Sequence, residues 1–374
     1  MKIAYLLFDP GIPVGGTKGA SIHVTEFVSA AVALGHQVHL IASNVVGEVP
    51  EGAILHRVEL TGISKSEKSK LRASGEFERA ASLILAEIRP HLVYERLSLF
   101  FGAGPALARS VGARRILEIN APIATERADH FGLELVEEAH QAERQAISGS
   151  FVVVVSEALR AYAANFGAAS VHVQPNGVAV ERFVVSGHSP GDPLGRLIPT
   201  IGFVGSLKPW HGVENLISAS RELESRGVDH RLMIVGDGPL LGSLREMVAD
   251  QGAQARVEFT GAVAMARVPS YLAKMDIGVA PYLPSANFYF SPLKVLEYMA
   301  AGLAIVATDT PSIRAMVDDS AVLVGEPDPS ALADAIEGLI ANPKRHAQLG
   351  GLARRRVERC FGWQQVVESI LSAA

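Results

Sequence analysis

The sequence predicts an α/β protein built from two Rossmann-like doubly wound domains in tandem, facing each other across a cleft. Three observations carry that prediction. Short apolar runs alternate with amphipathic stretches along the whole chain, the pattern of parallel strands and crossover helices. The chain has 374 residues, too many for one ordinary core. Residues 184–197, VVSGHSPGDPLGRL, hold three glycines and two prolines with no apolar period, which marks a linker. The expected division is residues 1–190, residues 191–358, and a C-terminal helix over 359–374 that crosses back onto the first domain. Phe361 and Trp363, late in the chain, are its expected packing anchors.

Lys2 to Phe8 reads as a buried parallel strand. A loop with four glycines and two prolines follows, from Asp9 to Ser21. Then Val24, Phe27, Val28, Ala31 and Leu34 fall on one helical face, and Gly35 stops the helix. Further strands are expected at 38–42, 54–60, 92–95, 115–119, 151–155 and 171–174. The charge-mixed stretch at 64–79 reads as a solvated helix face. After the linker the alternation restarts, with strands at 201–204, 232–235, 257–260, 277–280, 304–307 and 321–324. Pro239 is placed as the first residue of a helix. Gly236 and Gly238 approach the dinucleotide pattern, but the third glycine comes one place late at Gly242.

Composition excludes several classes. With 48% hydrophobic and 20% charged residues the chain is globular. A net charge of −5 gives no basic field for nucleic acid. The single cysteine, Cys360, rules out an intramolecular disulfide and a multi-cysteine metal site. No Asp-x-Asp pattern and no histidine pair at metal spacing occurs, so no metal or cofactor is expected. The first apolar run is too short to span a membrane. A cytoplasmic protein with at most peripheral membrane contact is expected.

The stretch 284–303, PSANFYFSPLKVLEYMAAGL, carries the chemistry. Its loop ends at a helix N-terminus, where free amides and the helix dipole suit an anion. Lys294 adds a positive charge, and Glu297 follows within an otherwise apolar face. A carboxylate there is costly unless something binds it. A sugar nucleotide needs both features, one for its diphosphate and one for its ribose. Lys208, His211 and Lys294 are the cations expected to serve a diphosphate without metal. Glu95-Arg96 and Glu118-Ile119-Asn120, with Glu126-Arg127 beyond it, follow strands, and so point at a ligand-binding edge.

In the order of its motifs the chain resembles the retaining, metal-independent GT-B glycosyltransferases, glycosyl transferases group 1. The residues that carry this are GGTKGAS with His23 and Gly35-His36, Val155-Ser156-Glu157, and Pro175-Asn176-Gly177-Val178 with Phe183. In the second half they are FVGSLKPWHG, IVGDGP, VEFTG and SPLKVLEYMAAG. The resemblance implies transfer of a hexosyl or N-acetylhexosaminyl group, with retention, from a nucleoside diphosphate sugar such as a UDP-sugar. The acceptor would be a hydroxyl on a small molecule, glycan or lipid-linked saccharide. It further implies that Glu297 binds the donor ribose and that Gly205, Ser206, Lys208, His211, Leu293 and Lys294 surround the diphosphate. Val263 would meet the base, and Tyr289, Phe290 and Ser291 would line the donor loop. Asn120 would stand near the transferred sugar; Gly15, Gly16, Gly19, Glu95 and Arg96 would face the acceptor or that sugar. Two departures stand out. Tyr289 occupies the place of a second family glutamate, and Ser206 and His211 replace an Arg and Lys pair. A sugar-nucleotide epimerase of the same architecture, or a non-catalytic sugar-nucleotide-binding protein, is the alternative.

Overall fold

The computed structural model describes residues 1–16, 18–64, 66–184, 198–283, 289, 291–325 and 328–374. Contacts divide the chain into two units. Unit 1 is Met1–Asn176 with Trp363–Ala374, and unit 2 is Gly177–Gly362.

Unit 1 opens with β1 (Lys2–Leu7), α1 (Gly19–Ala33), β2 (Gln37–Ala42), β3 (Ile54–Arg57) and α2 (Glu67–Ile88). It continues through β4 (Leu92–Arg96), α3 (Gly104–Ser110), β5 (Arg114–Ile119), α4 (Ile123–Phe131) and α5 (Val136–Ile147). It ends in β6 (Phe151–Val154), α6 (Glu157–Asn165) and β7 (Ser170–Val173). Unit 2 runs β8 (Thr200–Val204), α7 (Val213–Ser225), β9 (Arg231–Val235), α8 (Leu241–Asp250), β10 (Val257–Gly261) and α9 (Val268–Leu272). Then come β11 (Ile277–Ala280), α10 (Leu293–Ala300), β12 (Ala304–Thr308), α11 (Pro311–Val317), β13 (Val322–Val324), α12 (Pro329–Ile340) and α13 (Pro343–Cys360). The last helix, α14 (Trp363–Ala373), returns to unit 1 and packs on α1.

The two sheets are wound alike. Their orders are β3-β2-β1-β4-β5-β6-β7 and β10-β9-β8-β11-β12-β13, with every pairing parallel. Each therefore reverses its winding once, between β1 and β4 and between β8 and β11, and a doubly wound sheet binds its ligand at that point. The strands form because they are short apolar runs covered on both faces; Ile3 to Leu6 and Ile305 to Ala307 are wholly buried.

The structure adjusts several sequence expectations. The expected boundary at 190/191 lies outside the described residues, but residues 177–184 already belong to unit 2. Val178 donates to the Phe361 carbonyl at 2.9 Å, and Phe183 joins the unit 2 core. Of the two late aromatics, Phe361 packs in unit 2, whereas Trp363 meets His23 of unit 1 edge-on at 4.9 Å. Pro239 does not begin a helix. It sits in a turn and α8 starts at Leu241, because the loop backbone is held on Leu207 by the Leu207-to-Asp237 and Leu240-to-Leu207 hydrogen bonds. The 64–79 stretch is not solvated throughout. Glu67 is buried and accepts the backbone N–H groups of Glu134 and Leu135 at 2.8 and 2.7 Å. Among the described residues, no helix is long and apolar enough to cross a membrane.

Candidate functional site

In unit 2 the loops after β8 and β9 touch at their first residues. A Cβ on Gly236 would lie 1.9 Å from the Gly205 carbonyl oxygen, at a φ of +138°, so only glycine fits. That contact presses the two backbones together under the carboxyl edge of the sheet.

Lys294, the second residue of α10, fills the space beside them. Its side chain is buried, and among the described residues its Nζ has no hydrogen-bond partner. The ammonium stands 4.1 Å from the Phe203 ring centre and 4.7 Å from that of Tyr282. A Cβ on Gly205 would meet the Nζ at 3.0 Å. Burial draws Lys294 down to about 7, only partly opposed by Glu297. Glu297 is pushed up to about 7 by burial, with Lys294 opposing. It is half-buried, whereas its neighbour Tyr298 is wholly buried. Pro292 at the N-cap of α10 makes no side-chain cap, and its carbonyl accepts from Val295 N–H at 3.0 Å; a helix N-terminus of this kind suits an anion. An ammonium, a helix N-terminus and a carboxylate one turn on can together hold a diphosphate and hydroxyls.

His211 departs from its expected role as a cation. Burial, then Lys294, lowers it to about 4, although the Ser206 carbonyl contact opposes this. It is neutral at pH 7. With Nδ1 donating to the Ser206 carbonyl, Nε2 is left as an acceptor. Its ring lies edge-on to Tyr282 at 5.3 Å. Lys208 remains partly exposed over the Trp210 ring, 4.8 Å from its centre. Gly205, Ser206, His211 and Lys294 are thus one cluster. Val263 is half-buried against the same core, Ser291 is buried, Leu293 opens α10 and Tyr289 is half-buried. Phe290 lies outside the described residues.

Unit 1 has a pocket at its own reversal point. It holds about 300 Å³ and is lined after β1 by Phe8, Asp9 and Pro10, after β4 by Leu99, and by Lys70, Ile123, Glu126 and Arg127. Two carboxylates and two cations on apolar walls suit a hydroxyl-rich ring, which needs acceptors, donors and a surface for its C–H face. Unit 1 also holds a buried ionic cluster near the ends of β4 and β5. His23 on α1 reaches Glu118 at 2.6 Å, and Arg96 lies 3.9 Å from the same oxygen. Burial alone would raise Glu118, but His23 and Arg96 hold it down at about 2. Asn120 follows Glu118 past the end of β5 and also favours its charged form.

Glu95 does not share an edge with Arg96. Successive strand residues face opposite sides of a sheet, and Glu95 is taken by Arg115 at 2.7 and 2.8 Å. Gly15 packs on the Gly47 backbone, Gly16 on Ser21 and Pro13, and Gly19 opens α1; these glycines shape the loop.

Glu126-Arg127, expected from its place after a strand to point at the ligand-binding edge, does line the unit 1 pocket; sequence reasoning overlooked the rings of Phe203 and Tyr282, the role of Tyr298, and the parts of Asp9 and Lys70 in that pocket. The strand-end positions of Asp9 and Phe203 were the available signal. Among the described residues, no group of three or more His, Cys, Asp or Glu is placed to hold a metal ion.

Comparison with known proteins shows the family and the fold. Residues 198–342 match the family model described as Glycosyl transferases group 1, and residues 17–182 that described as Glycosyltransferase Family 4. The chain is 30% identical over 286 residues to the GDP-mannose-dependent alpha-(1-6)-phosphatidylinositol monomannoside mannosyltransferase of Mycolicibacterium smegmatis, covering 71% of this chain and 73% of that one. To the protein of the same name from Mycobacterium tuberculosis it is 27% identical over 291 residues, covering 73% and 74%. Sucrose-phosphate synthase from Thermosynechococcus elongatus has a similar fold, with a TM-score of 0.73, 19% identity and 100% and 98% coverage. So does Anabaena HepE in complex with UDP and glucose, with a TM-score of 0.72, 16% identity and 100% and 99% coverage.

Proposed function

The chain belongs to the glycosyl transferases group 1 family and is a glycosyltransferase of the GT-B fold, and from that premise we propose that it moves a hexosyl group from a nucleoside diphosphate donor to an acceptor hydroxyl with retention. The observation that carries this reading is the buried Lys294 ammonium, with no acceptor among the described residues, beside the Gly205 loop at the N-terminus of α10. A diphosphate supplies the missing counter-charge. Glu297 receives the ribose hydroxyls, Lys208 closes on the outer phosphate, and Val263 meets the base with its backbone. In unit 1 the pocket at Asp9 and Arg127 takes the acceptor ring, and the Asn120 amide contacts the transferred sugar.

Chemistry then consists of positioning and charge stabilisation. The acceptor oxygen attacks the anomeric carbon from the face the diphosphate leaves. The departing phosphate oxygen takes the acceptor's proton, and Lys294 and Lys208 hold the negative charge that develops. This needs neither a metal nor a cofactor, so activity should persist in excess chelator. Complete loss in EDTA, restored by Mg²⁺ or Mn²⁺, would contradict it.

The test is a panel of UDP- and GDP-sugars, assayed for protection against thermal unfolding and then for transfer. A ligand at 100 times its dissociation constant adds about 2.7 kcal/mol. The panel spans both bases because the mycobacterial relatives are named for GDP-mannose and HepE was solved with UDP. Those relatives' lipid acceptor also makes phosphatidylinositol mannosides the first acceptors to try, at a membrane surface that the enzyme would meet peripherally from the cytoplasm. Product of retained configuration by NMR supports the reading. Inverted product overturns retention, and the absence of protection by any donor overturns the site. Donor conversion without an acceptor would indicate an epimerase, and binding without turnover a non-catalytic role.

Glu297 has its own test. Glu297→Gln removes a charge and one acceptor, and a 2′-deoxy donor removes one of the same hydrogen bonds from the other side. The two losses should be non-additive by about 1 kcal/mol. Strict additivity when both proteins are titrated with both donors removes Glu297 from the ribose.

A further inference from the structure

The two sheets share one strand order, but their reversal points are built differently. In unit 1, β1 and β4 pair through four positions, Ile3 to Leu6 against Leu92 to Glu95. In unit 2, β8 and β11 pair only at Ile201 with Ile277 and Gly202 with Gly278. Beyond that the strands part. Val204 then has no strand partner for its N–H on this side, and the Val279 carbonyl faces the same gap.

One side chain closes both vacancies. The Tyr298 hydroxyl accepts from Val204 N–H at 2.9 Å and donates to the Val279 carbonyl at 3.3 Å. The ring is wholly buried and lies over Gly278, where a Cβ would come within 2.6 Å of it. Tyr298 is also one turn along α10 from Lys294, at i and i+4, so the two side chains leave the helix on one face. Tyr298 stands at the root of the split and Lys294 at its mouth, between Phe203, which ends next to Val204, and Tyr282, which follows β11.

We propose that Tyr298 is a positioning residue for the phosphate cradle: its hydroxyl replaces the missing rungs between β8 and β11 and fixes the width at which the Lys294 ammonium is seated between them. The proposal rests on the reading that this site binds a nucleoside diphosphate. Tyr298 touches no ligand and acts through the strand ends and Lys294.

The test compares wild type with Tyr298→Phe, titrated with UDP and uridine and with GDP and guanosine, using the pair that wild type binds. Tyr298→Phe keeps the ring and deletes both hydrogen bonds. Diphosphate affinity should fall about 10-fold or more, while nucleoside affinity changes less than about 3-fold. A residue that only supports the fold would lower the unfolding midpoint and leave the ratio of the two affinities unchanged, and that outcome overturns the proposal. The same substitution is then made in a Lys294→Met background. If Tyr298 works through Lys294, it costs little further diphosphate affinity there. An undiminished loss in that background also overturns it, and the background keeps the test available should Tyr298→Phe alone fold poorly. If wild type binds neither diphosphate, it is the nucleoside diphosphate reading that falls.

Discussion

Lys294→Met is expected to make the unliganded protein more stable and to remove most of its affinity for nucleoside diphosphates. The stability gain follows from burial. In the folded chain Lys294 is drawn from 10.5 down to about 7 by burial. Between those values the unfolded chain holds a proton that the folded chain partly releases, so stability rises with pH from about 7 toward 10.5. Glu297 behaves in the opposite sense. Burial raises it from 4.5 to about 7, so its contribution falls as pH rises through that window. The pair therefore weighs most against folding near neutrality. Methionine fills the same volume without a charge, and replacing a buried charge by an apolar group often stabilises, here by on the order of 1 kcal/mol. It should also flatten the rise in stability above pH 7.

The affinity loss has a separate origin. Hydrogen bonds to charged groups contribute roughly 1.5–3 kcal/mol, so diphosphate binding should weaken about 10- to 150-fold at ~1.4 kcal/mol per decade, while free nucleoside binding barely changes. A bound diphosphate raises Lys294 again, so wild-type binding takes up a proton above pH 7 and weakens as pH climbs. Calorimetry in two buffers of different ionisation enthalpy reads that uptake, and Lys294→Met should lack it. A variant that binds UDP or GDP like wild type would remove Lys294 from the phosphates.

The fold was legible because it is written in local pattern. Each strand is a short apolar run between polar turns, and all of the expected strands appear within a few residues of their predicted ends. What stayed hidden depends on distant neighbours. His211 has the residue type of a cation, and only its burial beside Lys294 makes it neutral. Glu95 and Arg96 are adjacent in sequence and read as a pair, yet the pleat separates them and Arg115 takes the carboxylate. Glu297 was singled out as the buried polar residue of α10, while the hydroxyl tied into the sheet belongs to Tyr298. The unit 1 pocket draws on four separate stretches of chain, so only the residues that follow strands could be anticipated.

Gly236→Ala is expected to be the most damaging single-methyl change in the site, and Gly242→Ala, in the same GDGPLLG segment, nearly harmless. The near-miss to a dinucleotide motif treats these glycines as equivalent, but the structure separates them. At Gly236 the backbone has φ +138°, and a Cβ would fall 1.9 Å from the Gly205 carbonyl oxygen. Strain at such a φ costs ~1–3 kcal/mol and overpacking a further ~1–3 kcal/mol. Together, about 2–6 kcal/mol is a large share of a typical stability of ~5–15 kcal/mol. The contacted atoms are backbone, so no side chain can swing aside. Relief must come from moving the Gly205 peptide, which lies against the Lys294 ammonium on its other side. Any molecules that still fold should therefore have lost diphosphate affinity as well, by more than the nucleoside. Gly242 is the second residue of α8, and a Cβ there meets nothing within 4 Å. Alanine at that position should be neutral or stabilising by up to about 1 kcal/mol. Denaturant midpoints and UDP and GDP titrations of both variants decide the matter. A Gly236→Ala protein with wild-type stability and affinity would show that the two loops are not pressed together, and that the Gly205 backbone is free to move without disturbing Lys294.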